Sequence, residues 1–82
     1  MTKKEKLYSK IKNAPENVRF EEICALAEMA GFTLKAVQGS HKTYRRAGVI
    51  ELLNFQNYGG KAKPYQVRQL LKIIEFYDLE VK

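Results

Sequence analysis

Two tight-turn signals between three short segments constrain the fold of this 82-residue chain more than any other feature. Gly39-Ser40 separates a segment at 32–36 from one at 41–46, and Ala47-Gly48 separates the latter from a third at 49–55. Apolar and polar residues alternate in the first segment, which is the period of a β-strand, and the second divides in the same way into His41/Thr43/Arg45 and Lys42/Tyr44/Arg46. The third segment is rich in large apolar residues. Because turns this short join antiparallel neighbours, we predict a three-stranded antiparallel meander.

Helical patterns flank these strands on both sides. Leu7 and Ile11 predict a short helix over 2–12 that ends before Pro15, and apolar residues at helical spacing predict a stronger helix over 19–30. The apolar stripe of that second helix includes Cys24, which we interpret as a packing residue. Pro64 marks the first turn of a final helix. Its predicted buried stripe consists of Val67, Leu70, Leu71 and Ile74. We therefore predict one domain of class α+β, in the order α-α-β-β-β-α, with both long helices on one face of the sheet.

Alternation along the second strand divides its side chains between the two faces of the sheet. Tyr44 is the one large apolar body in this strand, so we place it against the helices. His41, Thr43 and Arg45 then share the opposite, open face, unless a bulge changes the register.

Positive charge is concentrated in one part of the chain. The net charge is +6, and residues 41–72 carry seven cations and one anion, so the remainder of the chain is neutral. A cationic region beside a neutral remainder is typical of nucleic-acid-binding proteins, although a solvated basic surface has the same composition. The seven cations are Lys42, Arg45, Arg46, Lys61, Lys63, Arg68 and Lys72.

The composition argues against several other classes of protein. Cys24 is the only cysteine and His41 the only histidine, which precludes an intramolecular disulfide and a four-ligand Cys/His zinc site. No apolar stretch approaches the roughly 18–20 residues needed to span a bilayer, and the N-terminal residues do not resemble a signal peptide. We therefore expect a cytoplasmic protein with no metal, no cofactor, no disulfide and no association with membranes.

His41 directly follows the Gly39-Ser40 turn, which presents it at the start of a strand. Histidine is the side chain best suited to proton transfer near neutral pH. No carboxylate cluster is present to hold the metal ions of a two-metal nuclease. The chemistry that remains is attack by the 2′-hydroxyl of RNA on the adjacent phosphate, with His41 taking or supplying a proton. Tyr44, Lys42 or solvent would then act as the second acid–base group, and a slow enzyme is expected.

The same residues carry a resemblance to a known family. Gly39-Ser40-His41, followed by Tyr44 and Arg45 and preceded by a strand after Gly31-Phe32, resembles the HicA family of bacterial mRNA interferase toxins. The last helix, from residue 63 to 71, is similar to the corresponding family segment. The likeness covers about residues 19–77 of the single 82-residue domain, and residues 1–18 form an N-terminal extension. Many relatives carry Pro and His near the end of the third strand, where residues 55–57 read Phe-Gln-Asn here.

The resemblance implies a fold like that of double-stranded-RNA-binding domains. It implies that His41 is the catalytic histidine of an endoribonuclease that cleaves mRNA, and that a HicB-type antitoxin covers the active site. Around His41 we predict an RNA-binding set made of Gly39, Ser40, Lys42, Arg45, Arg46, Lys61 and Lys63.

Two alternatives remain open from the sequence. The domain could be a non-catalytic RNA-binding module of the same fold, since the cations would serve binding equally well. It could also be an interaction domain whose basic face docks an acidic protein.

Overall fold

Three helices and a three-stranded antiparallel sheet make up the protein, as seen in a computed structural model that describes residues 3–82. The elements are α1 (Lys3–Asn13), α2 (Phe20–Met29), β1 (Thr33–Gln38), β2 (His41–Arg45), β3 (Leu53–Gln56) and α3 (Pro64–Phe76). The strands lie in the order β1-β2-β3, and each pair is antiparallel. The predicted α+β fold with the order α-α-β-β-β-α is therefore confirmed, whereas the likeness to double-stranded-RNA-binding domains stays a prediction. Residues 1 and 2, which the predicted domain and first helix include, lie outside the described residues.

The hydrophobic core forms between the helices and one face of the sheet. Tyr44 lies in this core with only 1% of its surface exposed, as predicted, and its ring centroid is 5.6 Å from that of Phe55. The Tyr44 hydroxyl donates a hydrogen bond to Glu28 of α2 at 3.2 Å, which satisfies the one polar atom of the side chain. Cys24 is buried in the same core, as its place on the apolar stripe predicted.

The buried face of α3 differs from the predicted stripe at one position. Val67, Leu70 and Ile74 are buried as predicted, but Leu71 is only partly buried and Ile73 takes its place in the core. The physical reason is the helical period: Ile73 and Ile74 follow Leu70 by three and four residues, so all three share one face.

The first strand departs from the predicted alternation because it contains a β-bulge. The register shifts between Leu34, which pairs with Tyr44, and Ala36, which pairs with Thr43. Residues that pair across strands point to the same face, so Ala36 lies on the open face and not beside Leu34. All six residues of this edge strand are exposed, and the core is therefore built on β2 and β3.

The third strand is shorter than predicted. Residues 49–52 form no regular structure, and β3 begins only at Leu53. The apolar composition of this segment misled the prediction: Val49 is buried, but Ile50 and Leu52 are exposed. The segment is held by Tyr77, whose hydroxyl donates to Glu51 at 2.8 Å and accepts from the Ile50 N–H at 3.5 Å.

The N-terminal helix is part of the folded unit. Ile11 of α1 is fully buried, and the Lys10 ammonium lies 2.6 Å from the Glu22 carboxylate of α2. The same carboxylate accepts a hydrogen bond from the Arg19 N–H at 3.0 Å, which satisfies a free donor at the start of α2. Within residues 3–82, every helix is too short or too polar to cross a membrane.

Candidate active site

The turn between β1 and β2 sets the position of His41. Gly39 has a φ of +59°, and Gln38 pairs with His41, the pattern of a two-residue type II′ hairpin that favours glycine at its first central position. The Ser40 carbonyl accepts a hydrogen bond from the Asn57 N–H at 2.8 Å, which extends the β2–β3 pairing by one residue before the start of β2. His41 is therefore held between two strands at the start of β2.

The imidazole of His41 contacts the amide of Asn54 on the neighbouring strand. Nδ1 of His41 lies 3.2 Å from Oδ1 of Asn54. Because Oδ1 is an acceptor, the tautomer that forms this hydrogen bond carries its proton on Nδ1. Nε2 is then the unprotonated nitrogen, which can accept a proton from a ligand.

His41 lies in a shallow cleft of about 280 Å³ between the open face of the sheet and the start of α3. The other residues that line it are Leu52, Asn54, Tyr65, Gln66 and Gln69. Gln66 holds the two walls together: its amide oxygen accepts from the Gln56 N–H at 3.0 Å, and its amide N–H donates to the Tyr65 hydroxyl at 3.2 Å. These bonds explain why this polar side chain is buried, and the bond from Gln56 fixes α3 against the outer edge of β3.

The cations of β2 are divided between the two faces of the sheet. Arg45 is exposed and shares the open face with His41, about 13 Å along the strand at 3.3 Å per residue. Lys42 lies on the helix-facing side, where its ammonium is 5.7 Å from the centroid of the Phe20 ring. Of the predicted RNA-binding cations in β2, only Arg45 is thus placed on the side of the sheet that carries His41.

Arg46 packs against the end of α2. Its guanidinium donates to the carbonyl oxygens of Ala30 and Ala47, each at 2.9 Å. It also covers Gly31, where the φ is +94° and a Cβ would lie 2.7 Å from Nε of Arg46. The arginine therefore stabilises the connection between α2 and β1, and two of its five N–H donors are bonded to backbone carbonyls.

Lys61 and Lys63 belong to the loop that follows β3. Tyr58 and Lys61 exchange two backbone hydrogen bonds, of 3.0 and 3.1 Å, which close a tight turn. The Lys63 ammonium lies 5.5 Å from the centroid of the Tyr58 ring. Because Asn57 at the start of this loop is bonded to Ser40, both lysines lie on a segment that adjoins the Gly39-Ser40 turn.

Two candidates for a second acid–base group lie away from the cleft. Burial raises the pKa of Tyr44 well above its usual range, and its hydroxyl donates to Glu28 on the far side of the sheet from His41. Lys42 is on that same far side. Neither side chain therefore lies on the side of the sheet that carries the His41 cleft, and solvent is the remaining group considered for this role. Burial also raises the pKa of the Cys24 thiol, so this cysteine is a packing residue and not a nucleophile.

The cleft contains residues that the sequence interpretation did not single out. Asn54 could have been found, since it alternates with the buried Leu53 and Phe55 and must point to the open face. Tyr65 and Gln69 could not, because their approach to His41 depends on how α3 packs against β3.

The described part of the chain has no group of three or more His, Cys, Asp or Glu residues placed to hold a metal ion. The comparisons with known proteins also leave the family open. No protein-family model matches the chain, and neither the curated proteins nor the solved structures contain a significant match to it. Membership of the HicA family therefore stays a prediction that rests on the residues quoted above.

Proposed function

We propose that this protein is an endoribonuclease that cleaves mRNA without a metal ion and uses His41 as its general base. The observation that carries the proposal is the contact between Nδ1 of His41 and Asn54. It fixes the ring beside an open cleft and leaves Nε2 for the substrate.

The reaction follows from this arrangement. The 2′-hydroxyl of a ribose gives its proton to Nε2 of His41, and the 2′-oxygen forms a bond to the adjacent phosphorus. The bond from phosphorus to the 5′-oxygen of the next nucleotide breaks, and that oxygen takes a proton from solvent. The products are a 2′,3′-cyclic phosphate and a free 5′-hydroxyl. DNA lacks the attacking hydroxyl and is not cut.

The side chains that line this cleft stabilise negative charge on the phosphate only weakly. Among the described residues, none of those that line it is a lysine or an arginine, so the side-chain donors are uncharged groups such as the Gln69 amide and the Tyr65 hydroxyl. Neutral donors stabilise developing negative charge less than an arginine or lysine would. Slow turnover is the expected consequence.

The cations that we assign to RNA binding lie outside the cleft. Arg45 lies on the same face, and Lys61 and Lys63 lie on the loop beside the Gly39-Ser40 turn. We propose that these groups attract the phosphate chain and that the turn backbone lies against it. Lys42 and Arg46 are left out of this surface because the first is on the opposite face and the second is bonded to backbone carbonyls.

The resemblance to HicA supports a biological setting for this activity. In that setting the protein is the toxin of a toxin–antitoxin pair and acts on mRNA in the cytoplasm. A HicB-type antitoxin would inhibit it by covering the face that carries His41.

The second candidate function is RNA binding without cleavage. It is favoured by the lack of a cation or a carboxylate beside Asn54 and His41 in the described cleft. A substrate with a single 2′-deoxy substitution at the cleavage site separates the two functions. If His41 acts as proposed, the all-ribose RNA is cut to a cyclic phosphate while the substituted RNA is bound but stays intact. Binding of both RNAs without any cleavage would support the second function.

A further inference from the structure

A second cleft, of about 530 Å³, runs along the outer side of α3 and adjoins the His41 cleft. Tyr65 and Gln69 line both clefts, so the two clefts are adjacent. The further residues of the second cleft are Glu51, Arg68, Lys72, Ile73 and Phe76. We call it the α3 cleft.

The aromatic residues of the α3 cleft are exposed to solvent. Tyr65 is 63% exposed and Phe76 is 81% exposed. They are separated by eleven residues, or three helical turns, which places them on one side of α3 about 16 Å apart. Gln69 and Lys72 lie between them at helical spacing. Exposed rings that share one cleft are typical of a binding surface.

The charge along the α3 cleft is positive. Arg68 and Lys72 contribute two cations and Glu51 one anion, and the Glu51 carboxylate accepts a hydrogen bond from the Tyr77 hydroxyl at 2.8 Å. Arg68 forms an ion pair with Glu16, and the two side chains are 47% and 73% exposed. Exposed ion pairs of this kind contribute little to the stability of the fold, so a phosphate can replace the glutamate as the partner of Arg68.

We propose that the α3 cleft is a binding subsite for an unpaired RNA strand that leads into the His41 cleft. Tyr65 and Phe76 provide stacking surfaces for bases, and Arg68 and Lys72 lie near the backbone phosphates. Aromatic platforms combined with a cationic groove are the usual means of binding single strands. In a duplex the base faces are already stacked and are not accessible to these rings. This inference rests on the proposed function and narrows its substrate to unpaired RNA.

The experiment uses the full chain carrying His41→Ala, so that the bound RNA is not cut. Fluorescence anisotropy measures the affinity of a short labelled single-stranded RNA and of the same RNA annealed to its complement. Single-stranded RNA is expected to bind more tightly than the duplex. Tyr65→Leu and Phe76→Leu should each weaken single-strand binding by about 5- to 140-fold, the range associated with loss of one stacked base. Tyr65→Phe and Phe76→Tyr keep an aromatic ring and should bind as before.

The contribution of Lys72 to RNA binding is tested against a control substitution at another exposed lysine. Lys72→Ala should weaken binding and lower the slope of log K against log salt, by about 0.7 for one phosphate contact on a single strand. Lys35→Ala, which removes an exposed lysine at the β1 bulge, should change neither quantity. Thermal melting of each variant checks that it is folded.

The outcomes separate this inference from the proposed nuclease. Unchanged single-strand affinity in folded Tyr65→Leu and Phe76→Leu overturns the subsite. This holds even if the wild-type chain cuts RNA, and a protein would then be the expected occupant of the cleft. Equal affinity for the duplex also overturns it. If wild type cuts no RNA while the leucine variants lose single-strand binding, the nuclease fails and the subsite stands.

Discussion

The side-chain oxygen of Asn54 on β3 lies 3.2 Å from Nδ1 of His41 on β2. This contact joins the two strands on their open face, where Asn54 pairs in register with Thr43. Asn54 does not supply the reacting nitrogen, since it engages Nδ1 and leaves Nε2 for the substrate. We therefore regard it as a positioning residue for His41.

Replacing Asn54 tests this role. Asn54→Ala is expected to lower kcat for RNA cleavage by about tenfold or more, within the 10²–10⁴-fold that a general base contributes, with little change in KM. Asn54→Asp keeps an acceptor oxygen and should retain more activity than Asn54→Ala. A purely structural role would instead lower the melting temperature of both variants and leave kcat per folded molecule unchanged.

The two faces of β2 predict different effects for its cations. Arg45→Ala should weaken RNA binding and lower the slope of log K against log salt by about 0.7, because it removes one proposed phosphate contact on the face that carries His41. Lys42→Ala should have a smaller effect, since Lys42 lies on the helix-facing side near Phe20. Binding titrations at several salt concentrations measure both. Equal losses in the two variants would contradict the assignment of Arg45, and not Lys42, to the RNA-binding surface.

Glu22 predicts a dependence of stability on pH. Burial alone would raise the pKa of Glu22, but hydrogen bonds from Lys10 and the Arg19 N–H lower it, and the net pKa lies below the usual 4.5. A carboxylate with a lowered pKa in the folded state stabilises the protein above its unfolded-state pKa. That contribution is lost as the pH falls through the folded value. We therefore expect the free energy of unfolding to fall as the pH is lowered below about 4.5.

A matched pair of substitutions isolates this effect. Glu22→Gln should reduce the acid-dependent loss of stability, as measured by urea unfolding at a series of pH values. Glu21→Gln should leave it nearly unchanged, because the Glu21 side chain is 76% exposed and lies 3.7 Å from an equally exposed Arg19. The same acid profile in wild type and Glu22→Gln would show that Glu22 does not link folding to pH.

The corrected face of α3 predicts a difference between two adjacent leucines. Leu70 is fully buried, so Leu70→Ala should lower the free energy of unfolding by about 2–5 kcal/mol. Leu71 is only partly buried, so Leu71→Ala should cost clearly less. Chemical denaturation of the two variants provides the comparison, and equal losses would place Leu71 in the core after all.

The sequence was most informative where a local pattern alone determines structure. Helical spacing and the turn at Gly39-Ser40 were enough to predict the order of the elements. Alternation in β2 was enough to predict that Tyr44 is buried and that His41 lies on the opposite face of the sheet. The bulge between Leu34 and Ala36 could not be predicted, because an extra residue in one strand leaves no compositional signal. The apolar segment at 49–52 was likewise predicted as strand because its residues favour strands, although Tyr77 holds it in another conformation.

The candidate site shows the same limit. His41 and Arg45 could be placed on one face from alternation, whereas the roles of Tyr65 and Gln69 depend on the packing of α3 against β3. The role of Arg46 could not be predicted either, because nothing in its local sequence indicates hydrogen bonds to Ala30 and Ala47. Charge patterning identified a cationic region, but it could not show which of these cations are used by the fold.

The most direct test of the central claim is RNA cleavage in the presence of EDTA, compared between wild-type protein and His41→Ala purified in the same way. The account predicts that wild type cuts the RNA, that His41→Ala does not, and that the variant still binds RNA and melts at a similar temperature. Cleavage that persists in His41→Ala would remove this histidine from the mechanism. RNA left intact by the wild-type protein would contradict the proposed nuclease activity.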